Sequence, residues 1–485
     1  MEKILVIDVG TTRLKTAVLD EKGNILGFKS AYLSRSQAPT EQDPKEWYEL
    51  TLKLLKEFNE EFNGDYNVIS VTGNMHALLP LDRTGSPLMN AWLWNDLRAN
   101  QESKELKLMY EEEIFNRFYN PPIPGFTLTK LLHLRKKMPE VYKLIWKIVQ
   151  PKDFIVYKLC GNLGTDPSDA SGTLMFNMHK KKWDNEFLEK IGISSGILPD
   201  INGSYEIIGR VSEEAANVTG LLKGIPIVTG AGDLATASLG NGVNDSTFVF
   251  VIGTAGQIMT TSHLLSDKLK GKIFALCDVI PDSILYLGTI PAGGYSFEWF
   301  GNMNNFSKEK VIEYAGEAQM DTNILYLPFI LGTGTPYMFY KACGGFHHIS
   351  PSDSIKEFCQ AIVEGIVFSL KESADIMSKY LGNRQRIILQ SLAAKIPLIK
   401  NVISAIFPYK ILVPESSESS IKGAAILGAV GISLYENISS AQKAMTKHES
   451  FLKEGGDTYY KKNILKRFQE YQNITKTLFQ QGRDY

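Results

Sequence analysis

The stretch of residues 4–20, ILVIDVGTTRLKTAVLD, constrains the fold of this chain more than any other segment. Residues 4–7 form an apolar run typical of a buried strand, a Gly-Thr-Thr tripeptide interrupts it, and residues 14–19 resume the strand pattern. The segment therefore predicts a β-hairpin with a polar tip. The same order of apolar strand, Gly-Thr, small residue and strand returns at residues 248–256, which favours a duplicated architecture.

The tip of the predicted hairpin carries groups that suit an anion and a hydrated cation. Gly10 allows the backbone to approach a bulky anion, and the hydroxyls of Thr11 and Thr12 can hold phosphate oxygens together with exposed N–H groups. Asp8 stands at the mouth of the turn, where its carboxylate can hold hydrated Mg²⁺, and Lys15 follows on the second strand. An ordinary hairpin with a polar tip fits the segment as well, so both interpretations stay open at this point.

Length and charge exclude several classes of protein. With 485 residues the chain is too long for one ordinary hydrophobic core, so two domains are expected. Hydrophobic residues at 44% and charged residues at 22% are ordinary for a globular protein. The net charge of −1 gives no reason to expect nucleic acid or an anionic membrane surface as a partner.

The cysteines and the first residues favour a cytoplasmic protein. Cys160, Cys277, Cys343 and Cys359 lack CxxC spacing, which argues against a disulfide framework or a zinc site and favours a reducing compartment. The start, MEKILVIDVG, lacks the apolar core and cleavage site of a signal peptide, and no apolar run is long enough to span a bilayer. We therefore expect this protein in the cytoplasm.

Three helices are predicted from local signals. Asp43 can cap a helix that Pro44 begins, and Glu46 stands where a capping box has a carboxylate. Apolar residues at helical spacing predict a long helix over residues 353–380, and small residues predict another from residue 423.

Several further segments follow one another in a particular order. They are GNMHALLPLD (73–82), LWNDLRA (93–99), PKDFIVYKLCG (151–161), TDPSDASGTLMFN (165–177), GAGDLATASLG (230–240), VIGTAG (251–256), AIVEGIVFSL (361–370) and ESSIKGAAILGAVG (418–431). Together with DVGTTRLK (8–15), they resemble the motifs of the FGGY carbohydrate kinases over nearly the whole chain. The resemblance is strongest to the xylulokinase and gluconokinase branches of that family.

This resemblance implies an α/β fold of two duplicated ribonuclease H-like domains, the actin-like ATPase fold, with a central cleft. Residues 1–243 would form an N-terminal domain with the sugar site, the first phosphate hairpin and the catalytic aspartate. Residues 244–485 would form a C-terminal domain with the second phosphate hairpin and the adenosine site. A hinge near residues 240–246 would close the domains over both ligands.

The implied activity is ATP-dependent phosphorylation of a sugar hydroxyl. The substrate would be a ketopentose such as xylulose, or a related sugar or sugar acid such as gluconate. Asp233 occupies the position of the catalytic base, and with Asp8 it would hold Mg²⁺. Asp233 is also a good helix N-cap, since it follows a glycine and precedes LATASL, and the two roles are compatible.

The resemblance also assigns the ligand contacts. Met75 and His76 match a Met-His sugar contact. Trp94 and Asp96 match a W-x-D sugar segment, and Asp233 is a further sugar contact that the resemblance implies. Trp92 and Trp94 alternate along an extended segment, so a role in the core is the alternative for both tryptophans. The residues assigned to ATP are Gly10, Thr11, Thr12, Lys15, Gly253, Thr254, Gly293, Ala394 and Lys395.

Two departures from the family pattern affect the nucleotide end, and a third concerns Arg13. Ser391-Leu392-Ala393-Ala394-Lys395 replaces a Gly-Gly-Gly-Ala-Lys stretch, and the side chain of Leu392 would narrow the adenosine slot. The stretch LGTGTP (331–336) replaces SGERTP and lacks a carboxylate and an arginine. Arg13 stands where a small residue is usual, and it is either a second phosphate contact or a solvated surface charge. A catalytically weak or inactive sugar-binding regulator is therefore the alternative to an active kinase, and the oligomeric state is open, with a homodimer as one option.

Overall fold

The computed structural model describes residues 2–34, 40–318, 323–451 and 458–481 of the chain. Its strands are β1 (Ile4–Val9), β2 (Arg13–Leu19), β3 (Ile25–Tyr32), β4 (Glu41–Gln42), β5 (Val68–Gly73), β6 (Leu79–Leu81), β7 (Ala91–Trp92), β8 (Lys147–Val149), β9 (Gly164–Thr165), β10 (Phe176–Asn177), β11 (Lys182–Trp183), β12 (Asp200–Ile201), β13 (Ile207–Arg210), β14 (Pro226–Val228), β15 (Ala231–Gly232), β16 (Thr247–Ile252), β17 (Gly256–Ser262), β18 (Phe274–Cys277), β19 (Ile284–Ile290), β20 (Leu325–Leu327), β21 (Gly345–His347), β22 (Arg386–Ser391), β23 (Lys410–Pro414) and β24 (His448–Phe451).

Its helices are α1 (Pro44–Phe62), α2 (Asn100–Phe118), α3 (Thr127–Lys137), α4 (Pro139–Leu144), α5 (Pro151–Cys160), α6 (Pro167–Ser171), α7 (Asn185–Lys190), α8 (Glu213–Thr219), α9 (Asp233–Gly240), α10 (Tyr295–Asn304), α11 (Lys308–Glu317), α12 (Ile355–Leu381), α13 (Leu392–Lys395), α14 (Pro397–Ile406), α15 (Ser419–Gly431), α16 (Ile438–Met445) and α17 (Thr458–Gln481). None of the helices among the described residues combines the length and the apolar composition needed to cross a membrane.

The chain divides into two compact units. The first consists of residues 1–242, 276–285 and 418–447, and the second consists of residues 243–275, 286–417 and 448–485. The first unit therefore includes two segments that follow the predicted boundary between residues 243 and 244. These two segments interrupt the chain of the second unit. That predicted boundary stays a prediction.

A sheet with strand order β13-β14-β5-β1-β2-β3 forms the centre of the first unit. Strand β1 is antiparallel to β2 and parallel to β5, which confirms the hairpin predicted for residues 4–20. Leu5, Ile7 and Val9 point to one face, where they join a core with residues of α1 and α5. Ile4 points to the other face, where it lies near Gly428 of α15. Because both faces are covered, every residue of β1 except Asp8 is apolar.

Two glycines allow α9 and α15 to pack in backbone contact. A Cβ atom at Gly423 would lie 1.8 Å from the carbonyl oxygen of Thr236, and one at Gly240 would lie 2.0 Å from that of Ser419. Any larger residue would therefore separate the two helices. This close approach brings the first turn of α15 to the end of the hairpin β1–β2. The helix predicted from residue 423 thus begins at Ser419, because its first residues belong to the packed face.

The start of α1 shows one local prediction that is confirmed and one that is wrong. The side chain of Asp43 caps the helix by accepting a hydrogen bond from the backbone N–H of Lys45, at 2.9 Å. Glu46 does not complete a capping box. Its carboxylate instead accepts hydrogen bonds from the backbone N–H of Ser34 at 2.7 Å and from the Ser34 hydroxyl at 2.8 Å. A tertiary partner therefore replaces the local one.

The second unit repeats the local topology of the first. Its strands lie side by side in the order β19-β17-β16-β22-β23-β24. Strand β16 is antiparallel to β17 and parallel to β22, which is the relation that β1 has to β2 and β5. The long helix predicted over residues 353–380 is confirmed as α12, with Ser354 as its N-cap and Glu357 completing a capping box. The second hairpin, β16–β17, is therefore the counterpart of the first.

Candidate active site

A cavity of about 340 Å³ lies at the tip of the first hairpin, within the first unit. The residues that line it come from the hairpin and from the starts of α9 and α15: Asp8, Gly10, Thr11, Thr12, Arg13, Lys15, Asp233, Leu234, Ala237 and Ser420. The structure thus brings six residues predicted from the sequence for phosphate, metal or base to one place. Arg13 also lines this cavity, where its guanidinium stacks on the ring of Tyr32 at 4.0 Å from the ring centroid.

The sheet register explains why these side chains meet. Asp8 and Lys15 are directly opposite each other in the β1–β2 pair, so their side chains emerge on the same face. On the other side of β1, the parallel strand β5 ends at Gly73, and Gly232 of β15 pairs with it. Helix α9 then begins at Asp233. Asp233, the candidate base, therefore lies near the end of β1, just before the turn of the hairpin β1–β2.

Asp8 and Lys15 belong to a partly buried ionic arrangement that includes two residues of the C-terminal part of the chain. Asp8 is 4% exposed, and its Oδ2 accepts a hydrogen bond from the Ser420 hydroxyl at 2.9 Å. The Lys15 Nζ lies 2.8 Å from Glu418 Oε2 and 3.9 Å from Asp8 Oδ2. Burial raises the pKa of Asp8, although Lys15 and Ser420 oppose that change. Burial disfavours the charged form of Lys15, but attraction by Asp8 and Glu418 outweighs it and raises the Lys15 pKa.

Asp233 lies at the first position of α9. The N-cap of this helix is Gly232, so the alternative role of Asp233 as the N-cap is wrong. Burial and then repulsion by Asp8 raise the pKa of Asp233 to about 7, while the Leu234 N–H and Lys15 lower it. A carboxylate that titrates near neutral pH and borders a cavity can exchange a proton with a bound ligand.

Two of the predicted sugar contacts lie on the segment after β5. Met75 is buried and packs on the backbone of Gly232, where a Cβ atom would lie 2.6 Å from the Met75 Sδ. His76 has a positive φ of 65°, and its Nδ1 lies 2.7 Å from the carbonyl oxygen of Gly172. Burial lowers the pKa of His76 to about 4, so the ring is neutral and donates from Nδ1 to that oxygen.

The W-x-D segment divides into an exposed and a buried residue. Trp94 is 50% exposed, and its Nε1 donates to the Thr11 hydroxyl at 3.2 Å, which places the indole beside the hairpin tip. Trp92 is buried, so the alternative of a core role holds for Trp92 and not for Trp94. Asp96 is buried and accepts hydrogen bonds from the backbone N–H of Arg98 at 2.9 Å and from its Nε at 2.7 Å.

Sequence reasoning missed three residues that support these segments. Glu418 and Ser420 reach Lys15 and Asp8 from the start of α15, and the only local signal was the small-residue run that follows them. Lys130 is fully buried, and its Nζ donates to the carbonyl oxygens of His76 at 2.6 Å, Leu93 at 2.7 Å and Trp92 at 3.1 Å. It thereby joins the two predicted sugar segments, and nothing in its local sequence distinguishes it from a surface lysine of α3.

The second unit holds the other predicted nucleotide residues. Gly253 and Thr254 form the turn of the hairpin β16–β17, and the Gly293 N–H donates to the carbonyl oxygen of Thr254 at 3.0 Å. A Cβ atom at Gly293 would lie 2.4 Å from the backbone nitrogen of Gly256, so only glycine fits there. The turn therefore lies against the backbone that leads into α10.

The segment at the end of β22, which departs from the family pattern, forms a short helix. Ser391 has a positive φ of 55°, and residues Leu392–Lys395 form α13. A Cβ atom at Gly294 would lie 3.2 Å from the Leu392 Cδ1, so Leu392 packs toward the backbone before α10. Lys395 is exposed and Ala394 is half-buried. The predicted contact of Ala394 and Lys395 with adenosine stays a prediction.

The chemistry of the cavity suits a hydrated divalent cation better than a cation held by protein alone. Among the residues described, no cluster of three or more His, Cys, Asp or Glu side chains has the geometry of a metal site. Asp8 and Asp233 nevertheless interact closely enough for Asp8 to raise the Asp233 pKa. Two carboxylates beside phosphate-binding groups fit Mg²⁺, which commonly keeps several waters and binds one or two carboxylates together with substrate phosphates.

A carboxylate of raised pKa, a second carboxylate, a lysine and hydroxyls at a hairpin tip are groups that phosphoryl transfer can use, and here they lie on a duplicated α/β scaffold. Residues 3–240 match the FGGY family of carbohydrate kinases, N-terminal domain, and residues 245–432 match the C-terminal domain of the same family. The chain therefore belongs to the FGGY family of carbohydrate kinases. It is an ATP-dependent sugar kinase, and the family resemblance of the motifs is confirmed.

Individual relatives agree with this assignment. A xylulose kinase of Lactococcus lactis subsp. lactis (strain IL1403) is 32% identical over 466 residues, 93% of each chain. A xylulose kinase of Staphylococcus xylosus is 29% identical over 490 residues, 99% of this chain and 100% of the relative. The alternative of a catalytically weak or inactive regulator has no support in these comparisons.

Solved structures show the same fold. A ligand-bound xylulose kinase from Lactobacillus acidophilus has a TM-score of 0.92 at 23% identity, with 99% of this chain and 98% of that chain covered. A gluconate kinase from the same organism has the same TM-score, identity and coverage. At this identity the likeness concerns the fold alone, and it confirms the predicted two-domain α/β fold of actin-like ATPase type.

Proposed function

We propose that this sugar kinase phosphorylates a ketopentose such as xylulose, with a sugar acid such as gluconate as the second candidate, and that Asp233 is the base. The relatives named above are xylulose kinases that match almost the whole chain, and one structural neighbour is a gluconate kinase. The observation that supports the base most directly is the position of the Asp233 carboxylate at the cavity of the hairpin tip, beside Asp8 and Lys15.

The cavity residues have complementary roles in the proposed transfer. Asp233 accepts the proton of the attacking sugar hydroxyl while the new P–O bond forms, and its pKa of about 7 suits proton exchange near neutral pH. Thr11, Thr12 and Lys15, with the backbone N–H groups around Gly10, hold phosphate oxygens. Their contribution is positioning and charge stabilisation, which is what phosphoryl transfer chiefly requires.

Asp8 and Asp233 are the proposed Mg²⁺ residues. After burial, repulsion by Asp8 is the second cause of the raised Asp233 pKa, and a divalent cation would relieve that repulsion. When bound, Mg²⁺ neutralises charge on the phosphate oxygens of ATP. Lys15 is paired with Glu418 and Asp8, so its remaining donors would serve the phosphate groups.

Met75, His76, Trp94 and Asp96, together with Asp233, are the proposed sugar contacts. The exposed indole of Trp94 beside Thr11 offers an apolar surface for the C–H face of a sugar, and the neutral His76 offers a ring nitrogen. In the second unit, Gly253, Thr254 and Gly293 are proposed to contact the phosphates of ATP, while Ala394 and Lys395 are proposed to contact adenosine.

A cytoplasmic location and a homodimeric assembly are further proposals. The absence of CxxC spacing among the four cysteines supports the reducing compartment. Light scattering of the purified protein distinguishes a homodimer from a monomer.

A substrate panel in a coupled kinase assay tests the proposed function. We expect ATP consumption with Mg²⁺ and xylulose, and weaker turnover with gluconate, other pentuloses, hexuloses and glycerol. The variant Asp233→Ala is expected to lose at least about a hundredfold in kcat, because the general base is gone, while calorimetry still detects sugar binding. Asp65→Ala, at an exposed position, is the control. Full turnover by Asp233→Ala would show that another group is the base, and no turnover of the wild type on any sugar would refute the proposed activity.

A further inference from the structure

A cluster of four charged side chains is buried in the first unit, outside the cavity. Lys152, Asp153, Asp166 and Asp169 are each at most 1% exposed. The Lys152 Nζ lies 2.6 Å from Asp153 Oδ1, 3.3 Å from Asp166 Oδ1 and 3.3 Å from Asp169 Oδ2. Burying such groups is expensive, and a well-packed apolar cluster of the same volume is often at least as stable. The cost of this cluster calls for a role other than stability.

A continuous chain of hydrogen bonds links this cluster to the residue before Asp233. The Asp166 Oδ2 accepts a hydrogen bond from the Ser168 hydroxyl at 2.6 Å. The Ser168 Oγ in turn accepts a hydrogen bond from the backbone N–H of Gly232 at 3.0 Å. Ser168 and Asp166 are fully buried, so water does not compete with either bond.

The Ser168 contact holds the Gly232 N–H, in addition to the pairing of β15 with β5. Gly232 is the N-cap of α9 but has no side chain with which to hydrogen-bond the helix, so α9 has no side-chain cap. A Cβ atom there would lie 2.5 Å from the Met75 Cγ, so any larger residue would require the Met75 side chain to move. Without Ser168, the Gly232 N–H would be a buried donor without its partner, and the peptide joined to Asp233 would relax toward another acceptor.

We propose that Ser168 is a positioning residue for phosphoryl transfer: it holds the Gly232 peptide, and through it the Asp233 carboxylate, in the orientation that proton transfer requires. Asp166 orients the Ser168 hydroxyl, and Lys152 holds Asp166 in place. The inference rests on the proposed role of Asp233 as the base. It gives a function to the segments PKDFIVYKLCG and TDPSDASGTLMFN, which contribute no residue to the cavity.

The chain offers a closely matched control in Ser204. The Ser204 hydroxyl donates to the same Asp166 Oδ2 at 2.8 Å, and Ser204 is also buried, but its hydroxyl bonds to Asp166 and not to the Gly232 N–H. Ser168→Ala and Ser204→Ala therefore remove equivalent hydrogen bonds from one carboxylate. Only Ser168→Ala also removes the acceptor of the Gly232 N–H.

The test compares kcat, KM and the thermal unfolding midpoint of both variants in the full-length protein. We expect Ser168→Ala to lose roughly tenfold or more in kcat, because misorientation of a catalytic group is costly even at short range, with sugar KM and calorimetric sugar affinity unchanged. Ser204→Ala should keep kcat within about twofold, since it leaves the Gly232 contact intact. Both variants should unfold at lower temperatures than the wild type, and Ser168→Ala at the lower of the two, because it also leaves the buried Gly232 N–H without an acceptor.

Two outcomes would overturn the proposal. One is an unchanged kcat for Ser168→Ala despite a lowered unfolding midpoint, which would make the cluster purely structural. The other is an equal loss of kcat in Ser204→Ala, which would place the effect in Asp166 and not in the Gly232 contact. Neither outcome depends on Asp233→Ala, whose turnover tests the base itself, so the two hypotheses fail separately.

A measurement on the wild type covers the case in which Ser168→Ala does not fold. The Gly232 amide should exchange its hydrogen slowly, because its acceptor is buried and held on both sides. Ser168→Thr keeps a hydroxyl and should retain more kcat than any variant without one. Exchange of the Gly232 amide at the rate of a surface amide would contradict the proposal.

Discussion

Two carboxylates share the cavity at the hairpin tip, and their surroundings give them different properties. Asp8 is the more buried of the two and is paired with Ser420 and Lys15, whereas Asp233 borders the cavity and has a pKa near neutrality. One group is thus suited to remain bound to cations, and the other is suited to exchange a proton. The difference follows from position, since both are aspartates.

The pH dependence of catalysis follows from the raised pKa of Asp233. A base must be deprotonated, so kcat/KM should rise as pH increases through about 7 and level off above it. A higher Mg²⁺ concentration should shift the rise of kcat/KM to lower pH, because a nearby cation favours the charged form of the Asp233 carboxylate. Initial rates between pH 5 and 9 at two Mg²⁺ concentrations check both points. A flat profile down to pH 5 would be incompatible with Asp233 as the titrating base.

At the scale of elements, glycines and buried polar groups decide which helices meet. Helices α9 and α15 approach to backbone contact through Gly240 and Gly423, and this contact brings Ser420 to Asp8. In the second unit, α12 and α17 meet through a polar contact. Glu372 of α12 is buried, and its Oε1 accepts hydrogen bonds from the Thr475 hydroxyl of α17 at 2.8 Å and from Tyr337 at 2.9 Å.

The contact between α12 and α17 should be pH-dependent. Burial, with a contribution from Asp375, raises the pKa of Glu372 to about 7 from an ordinary 4.5, against the hydrogen bonds of Thr475 and Tyr337. Between about pH 4.5 and about pH 7, Glu372 therefore keeps a proton in the folded state that it has lost in the unfolded state. Stability from this group is complete below about pH 4.5 and is lost as pH rises through about 7.

Glu372→Gln keeps the acceptor Oε1 and removes the charge. The variant should be more stable than the wild type at pH 8 by roughly 1–3 kcal/mol and should match it near pH 4.5. Urea denaturation at both pH values measures the difference, with Glu309→Gln at an exposed position of α11 as the control. A variant that is less stable than the wild type at pH 8 would show that the carboxylate is ionised at little cost in the folded protein.

At the scale of the whole molecule, the chain does not build its units from continuous halves. The first unit requires residues 418–447, which include α15, the helix that covers β1 and β5 on one face. A fragment of residues 1–242 therefore lacks part of its own core. The Gly240–Ser419 contact also shows that residue 242 and residue 418 lie close together, so that a short linker can join them.

Fragments of the first unit test this organisation. Residues 1–242 produced alone should bind a hydrophobic dye and unfold without cooperativity, because one face of the sheet is uncovered. Residues 1–242 joined to 418–447 by a short Gly-Ser linker should recover a cooperative transition. Circular dichroism and dye fluorescence during thermal unfolding compare the two. Cooperative folding of residues 1–242 alone would contradict the role of α15.

The elements were predictable where their signals are local. Apolar periodicity and capping residues act within a few residues of chain. They predict the hairpin β1–β2, the start of α1 at Pro44 and the apolar face of α12. The start of α15 was not predictable, because packing on α9 and not local preference decides it. The capping box at Glu46 failed for the same reason, since Ser34 competes for the carboxylate.

The motifs alone determined the family, the two α/β domains and the residue types available for phosphoryl transfer, because each depends on short segments in order. Only the tertiary structure decided their partners. Glu418 binds Lys15 across 403 residues of sequence, and Ser168 binds the Gly232 N–H across 64. The tertiary structure also decided the pKa of Asp233. Burial and the nearness of Asp8 raise it, and both arise only when long-range packing has brought the strands and helices together.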